Sequence, residues 1–217
     1  MKKAVLIAWL LLPAGAAAYH YGPGQEALRL DDAGAAIERG RAAAAKAREV
    51  AAAEGDAAAR AHWAVADEAF GEALSLLPKE RVAEARSVLL ERAKAQMQTS
   101  QLPEARVVLE SLVDELSAAK PGSGEEAAHE ALLADARETL ANAQYYTTWL
   151  MRLEGFARDE WLKEIEASRQ NFTLLAAQAA ERGDDAGAQR QKESVESAVR
   201  LARIDLKELQ GIPLPST

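Results

Sequence analysis

The apolar positions of this chain recur at steps of three and four residues, the spacing of one face of an α-helix. The clearest example is Trp63, Ala66, Phe70 and Ala73, and Pro78 follows where such a helix has to end. We find no run in which β-branched and polar residues alternate, which is the pattern of a half-buried strand. The sequence therefore predicts an all-α fold.

Glycine, proline and aspartate divide this helical pattern into segments. We predict seven helices, at about residues 32–54, 57–77, 80–98, 101–119, 125–153, 159–182 and 185–210. Most of the connections are too short for anything but a tight turn, so consecutive helices should form antiparallel hairpins.

Two of these helices have the same order of small and large residues. Ala66 and Ala73 are the small positions around Phe70, and Ala105 and Leu109 repeat the small-large step downstream. With the closing Pro78, this order resembles the second helix of a tetratricopeptide repeat. Phe172 is a third match.

The resemblance implies an array of helix hairpins that binds a protein or peptide in a groove. It covers mainly residues 56–119, and it has clear departures. Ala66 and Ala105 are 39 residues apart, five more than the repeat length. The first-helix signature of the repeat is missing. An irregular helical bundle with the same spacing is the alternative.

The N-terminus has the features of an export signal. Lys2 and Lys3 precede the apolar run 4–12, and Ala16 and Ala18 provide a small-residue cleavage site. We expect residues 1–18 to be a signal peptide and the protein to reach the periplasm of a bacterial envelope. The alternative is a membrane anchor formed by residues 4–18, although these 15 residues are fewer than the roughly 20 that span a bilayer.

After the signal segment, three regions are predicted. Residues 19–30 should be a flexible lead, residues 31–210 the helical domain, and residues 211–217 a proline-containing tail. Gly211 is where a helix C-cap glycine belongs, and Pro213 and Pro215 prevent the helix from continuing.

Composition narrows the classes of partner. The formal net charge is −8, which disfavours nucleic acid and anionic lipid. The chain has no cysteine, which excludes thiolate metal sites and cysteine nucleophiles. We therefore expect a protein or peptide partner, with membrane contact only if the N-terminal segment stays uncleaved.

The sequence offers no set of residues for catalysis. His20, His62 and His129 lack ligand spacing, and no second histidine follows His129-Glu130 where a zinc-protease helix requires it. Gly-rich phosphate loops and serine nucleophile elbows are also missing. We predict a protein that is not an enzyme and that uses no cofactor and no metal.

Aromatic residues are concentrated around one predicted turn, between the fifth and sixth helices. Five of them fall within residues 145–161 of a chain in which aromatics make up 5%. The five are Tyr145, Tyr146, Trp149, Phe156 and Trp161. One interpretation is a packing hub where two helices meet, with Phe156 and Trp161 buried.

The other interpretation of this cluster is a groove for a partner. Tyr145 and Trp149 lie one helical turn apart and would be the exposed pair, with Arg152 and Arg158 as polar anchors. Tyrosine, tryptophan and arginine are the residues that most often dominate binding energy at interfaces. The function predicted from sequence is thus a non-catalytic exported scaffold, and the alternative is a structural helical subunit of an envelope-associated assembly.

Overall fold

A computed structural model describes residues 23–211, and within that range every regular element is an α-helix. The all-α prediction is confirmed for this part of the chain. The helices are α1 (Pro23–Glu54), α2 (Asp56–Leu76), α3 (Val82–Met97), α4 (Leu102–Ala118), α5 (Glu126–Leu153), α6 (Arg158–Glu181), α7 (Asp185–Arg203) and α8 (Leu206–Gln210).

The first helix is longer than the sequence pattern predicts. It begins at Pro23, inside the segment 19–30 for which a flexible lead was expected. A proline is tolerated in the first turn of a helix, and the residues after Gly24 are mostly good helix formers. The lead prediction is therefore wrong from Pro23 onward. The proposed signal segment 1–18, residues 19–22 and residues 212–217 lie outside the described range.

The last predicted helix is two helices in the structure. α7 ends at Arg203, and Ile204 has an extended conformation with ψ 144°. Asp205 then caps α8 by accepting a hydrogen bond of 2.9 Å from the backbone N–H of Glu208. An aspartate three residues before a glutamate is a local helix-start signal, so this break was readable in the sequence.

The helices from α1 to α7 stack in chain order, each packing mainly on the one before it and the one after it. Because the connecting turns are short, neighbouring helices run antiparallel. α3 also touches α5, and the short α8 packs on α5. The core consists of successive local clusters, one between α1, α2 and α3, the next between α3, α4 and α5, and others where α5 and α6 meet α7 and α8.

Small residues allow the first helices to approach closely. Ala36 and Ala47 of α1 and Ala66 and Ala73 of α2 are completely buried. Seven of the residues that carry the repeat-like pattern are buried: Trp63, Ala66, Phe70, Ala73, Ala105, Leu109 and Phe172. Pro78 is half-buried in the turn that follows α2.

Candidate binding groove along the third helix

The aromatic turn between α5 and α6 is mainly a packing hub. Trp161 is 7% exposed, so the prediction that it is buried is confirmed. Trp149 is 4% exposed and Phe156 is 45% exposed, so both of those predictions are wrong. Trp149 belongs to a buried cluster that α5 forms with α6, α7 and α8, and Phe156 lies in the turn outside the inner stripe of α6.

The two tyrosines of this cluster pack against their neighbours. Tyr145 is half-buried, with its ring centroid 6.3 Å from that of Trp149 and 5.8 Å from that of Tyr146. Tyr146 packs against the core between α3, α4 and α5. Its burial, together with the neighbouring Tyr145 and Asp56, raises the pKa of Tyr146 to about 12, so its hydroxyl keeps its proton at neutral pH.

Arg152 has an internal role that sequence reasoning missed. Its guanidinium donates to the carbonyl oxygen of Leu201 and, at 2.6 Å, to that of Ile204. These carbonyls lie at the C-terminal end of α7, where a cation is favoured. The guanidinium carbon also lies 4.8 Å from the ring centroid of Trp161. Arg152 therefore holds the α7–α8 bend against α5 and α6.

Of the four residues proposed as partner contacts, only Arg158 is exposed, in the first turn of α6. Trp149 and Arg152 contribute their side chains to the hub, and Tyr145 is half-buried within it. These four side chains do not together line an open groove. A surface of that kind lies elsewhere in the molecule.

An open cleft of about 470 Å³ lies between α1, α3 and α5, which we call the acidic cleft. Its walls combine aliphatic side chains with carboxylates, and the ring of Phe70 from α2 lies beneath. The residues that line it are Gly34, Ile37, Glu38, Arg41, Phe70, Glu84, Ser87, Val88, Leu90, Glu91, Leu132 and Asp135. Three helices that alternate along the chain thus form one surface.

A polar stripe on α3 supplies Glu84, Ser87 and Glu91 to the acidic cleft. Glu84, Ser87, Glu91, Lys94 and Gln98 follow one another at steps of three and four residues, so they share one helix face. The apolar residues of the same helix, which also recur at steps of three and four, predict its buried face: Val82, Ala85, Leu89, Ala93 and Met97. In the structure Val82, which belongs to that apolar set, is 48% exposed.

An ion-paired lysine joins α3 to α5 at one end of the acidic cleft. The Nζ atom of Lys94 lies 3.0 Å from Oε1 of Glu91 and 2.8 Å from Oδ2 of Asp135. Burial by itself would lower the pKa of Lys94, but the hydrogen bonds and the charges of Asp135 and Glu91 outweigh it, and the pKa is raised. Lys94 is therefore a fixed cation between the two helices.

Beyond Lys94 a second cleft, of about 630 Å³, continues along α3, and we call it the Trp63 cleft. Lys94 and Gln98 line it together with Arg48 of α1 and Trp63 of α2. The guanidinium carbon of Arg48 is 5.8 Å from the ring centroid of Trp63. The two clefts lie one after the other along the polar stripe of α3, with Lys94 and its partners Glu91 and Asp135 between them, and we refer to the two together as the groove.

The two parts of the groove differ in charge. The acidic cleft has four carboxylates, from Glu38, Glu84, Glu91 and Asp135, and one cation, from Arg41. The Trp63 cleft has Arg48 and Lys94 against a single carboxylate. Lys94 is already paired with Glu91 and Asp135, so the groove is negative in the acidic cleft and close to neutral in the Trp63 cleft.

Residues 23–211 have neither a metal-binding cluster nor a membrane-spanning helix. In that range no three or more histidine, aspartate and glutamate side chains are grouped as a metal ion would require. None of the helices in the described part of the chain is both long and apolar enough to cross a bilayer.

Comparison with known proteins gives no match: the chain fits no protein-family model, no curated protein and no solved structure. Function therefore has to be inferred from the groove and from the chemistry of the residues that line it.

Proposed function

We propose that this protein is a non-catalytic scaffold that binds a peptide or an extended segment of another protein in the groove along α3. The observation that carries the proposal is the groove itself, an open surface that runs across alternate helices with polar rims and an aliphatic floor. Stacked helix hairpins commonly bind partners on the extended surface that their alternate helices form. We also propose that the hairpins are a tetratricopeptide-like array.

The dimensions of the groove suit an extended segment. Glu84 and Gln98 mark its two ends on α3, about 21 Å apart at the helical rise of about 1.5 Å per residue. An extended chain covers about 3.3 Å per residue, so about six residues would fill this length. The groove is open on one side, which suits a segment that continues into a larger protein.

Export to the periplasm is part of the proposal and rests on the N-terminal pattern. Mass spectrometry of the native protein tests it directly. We expect a mature chain that begins at Tyr19, without residues 1–18. Recovery of the intact chain from membranes would show instead that residues 4–18 are an anchor.

Crosslinking from inside the groove tests the scaffold function. A photoreactive amino acid replaces Ser87, which lines the acidic cleft, and in a control protein it replaces Ser111, which is exposed on α4. We expect a discrete crosslinked partner from Ser87 and none from Ser111 after irradiation of cells. The same adducts from both positions, or none from either, would count against a groove that binds a partner.

A second candidate function is a structural subunit of a larger envelope assembly. It is favoured by four exposed apolar side chains near the α5–α6 turn, Leu150, Leu153, Phe156 and Leu162, which are 37–45% exposed. Such residues are often covered by a neighbouring subunit. Light scattering on the purified protein separates the two functions, because the scaffold should be a monomer and the subunit an obligate oligomer.

A further inference from the structure

We infer that the segment bound by this groove is cationic, with at least two basic side chains and one aliphatic side chain for the acidic cleft. The inference rests on the proposed function and specifies the chemistry of the partner. It comes from two properties of the acidic cleft, the state of its carboxylates and the nature of its floor.

Two rim carboxylates have only weak partners within the chain. Glu38 pairs with Arg41 at 2.7 Å, but both side chains are more than 60% exposed. Glu84 pairs with Arg81 at 3.8 Å, and these side chains are also largely exposed. Exposed pairs of this kind contribute little to stability, so basic groups of a ligand can replace them at low cost.

The other two carboxylates, Glu91 and Asp135, already bind an ammonium group in the native structure. Lys94 donates to both of them. This pair shows that the geometry of the cleft accepts a primary ammonium between α3 and α5. Because Lys94 already occupies Glu91 and Asp135, Glu38 and Glu84 are the two cleft carboxylates that remain for the basic groups of a ligand.

The floor between these carboxylates is aliphatic. Ile37 and Val88 are 5% and 4% exposed, and Leu132 of α5 is half-buried beside them. A charged side chain of the ligand would not be stabilised by this floor. A leucine or isoleucine side chain would be stabilised, because it would bury apolar surface against the floor. Basic residues at the rim and an aliphatic residue at the floor therefore fit the cleft together.

The charge of the whole protein acts in the same direction. With a formal net charge of −8, the chain attracts cationic segments from a distance and repels phosphate-rich partners. This long-range attraction is not specific to the groove. The experiment must therefore separate binding in the groove from general attraction to an acidic surface.

Fluorescence anisotropy with the full chain and labelled seven-residue peptides makes that separation. The probe alternates lysine and leucine. In the first comparison peptide glutamine replaces lysine, in the second glutamate replaces lysine, and in the third glycine replaces leucine. We expect the lysine–leucine peptide to bind most tightly, with an affinity that falls as salt is added.

Matched variants locate the binding. Replacing Glu38 and Glu84 together by glutamine should lower the affinity for the lysine–leucine peptide by about three- to tenfold, because two rim ion pairs are lost. Replacing Glu154 and Glu181 by glutamine removes the same charge at exposed positions outside the groove and should change affinity less than about twofold. Ser87→Trp should block binding, and circular dichroism checks that each variant is folded.

The outcomes distinguish this inference from the function on which it rests. If the glutamine or glutamate peptide binds as well as the lysine peptide and Ser87→Trp blocks it, the groove binds peptides but the cationic inference is overturned. If the lysine–leucine peptide binds equally well to Ser87→Trp, the attraction is general and the inference is also overturned. If no peptide binds, a Ser87 crosslink would show that the groove binds a partner of different chemistry. Absence of that crosslink as well would overturn the proposed function.

Discussion

Gly40 of α1 lies directly against the ring of Phe70 of α2, so close that a Cβ atom at position 40 would be 2.6 Å from Cε1 of the ring. Phe70 is 1% exposed and fills the space between α1, α2 and α3. The glycine and the phenylalanine therefore form a complementary pair, in which the missing side chain on one helix makes room for the ring of the other.

The first prediction follows from this pair. Gly40→Ala should destabilise the protein by about 1–3 kcal/mol through overpacking, and Phe70→Ala should cost about 3–5 kcal/mol. Gly34→Ala is the control on the same helix, since a Cβ there meets no atom within 4 Å. It should stabilise by about 0.5–1 kcal/mol. Denaturant unfolding measures all three, and the Gly40→Ala penalty should disappear when Phe70 is already alanine.

The second prediction concerns a buried carboxylate that joins three helices. Asp67 of α2 accepts hydrogen bonds from Nε of Arg92 at 2.8 Å and from Nε2 of Gln101 at 3.1 Å, and it is 9% exposed. Asp67→Ala should cost about 1.5–3 kcal/mol, because hydrogen bonds to a charged group are lost and Arg92 loses its partner.

The control for Asp67 is an exposed ion pair that joins α1 to α2. Arg39 and Glu72 are 2.6 Å apart, but their side chains are 54% and 51% exposed. Glu72→Ala should therefore change the free energy of unfolding by less than about 1 kcal/mol. Equal losses from Asp67→Ala and Glu72→Ala would contradict a structural role for the buried network.

The third prediction concerns the aromatic turn. Trp149→Ala should cost about 3–5 kcal/mol because it leaves a cavity in the buried cluster between α5, α6, α7 and α8. Phe156→Ala, at a side chain that is 45% exposed, should change stability by no more than about 0.5 kcal/mol. Thermal unfolding of the two variants side by side gives the comparison. A Phe156→Ala loss as large as that of Trp149→Ala would mean that Phe156 is covered, for instance by a second subunit.

The fourth prediction concerns pH. Burial raises the pKa of Glu164 of α6, the charge of Arg106 opposes this, and the charge of Glu110 reinforces it. A carboxyl group whose pKa is raised on folding favours the folded state when protonated. That advantage is complete below the ordinary value of 4.5 and is lost as the pH rises through the raised pKa.

Glu164→Gln mimics the protonated carboxyl group at every pH. Its stability relative to the parent protein should therefore increase between pH 4 and pH 7, as measured by urea unfolding at both values. Glu181→Gln, at an exposed position at the end of α6, should show no such gain. A relative stability of Glu164→Gln that falls over this range would mean that the ion pair with Arg106, at 3.4 Å, outweighs burial.

The sequence by itself determined the helices and most of their ends, because the signals involved are local. Gly55, Gly155 and Gly183 all have positive φ at helix boundaries, a conformation that glycine adopts without a steric penalty. Asp184 caps α7 by accepting a hydrogen bond of 2.8 Å from the N–H of Gly187. For the second to sixth predicted helices, the ends lie within two residues of those observed.

The sequence could not show which faces of these helices are covered. On α1, Ala44 and Ala47 are buried whereas Ala42 and Ala45 are exposed, and alanine gives the same local signal in both environments. Similarly, the spacing of Tyr145 and Trp149 is the same whether their side chains are buried or exposed. The burial of Trp149 depends on residues of α6, α7 and α8, all of which come later in the chain.

The existence of the groove and the set of residues that line it depend on tertiary structure alone. Its residues come from α1, α3 and α5, and no local pattern brings Glu38, Glu84 and Asp135 to one surface. The polar stripe of α3 was visible in the sequence, but a stripe of this kind is also typical of a helix face in open solvent. Only the packing of each helix on its neighbours places α1 and α5 on either side of α3, since cleft geometry depends on contacts between residues far apart in the chain.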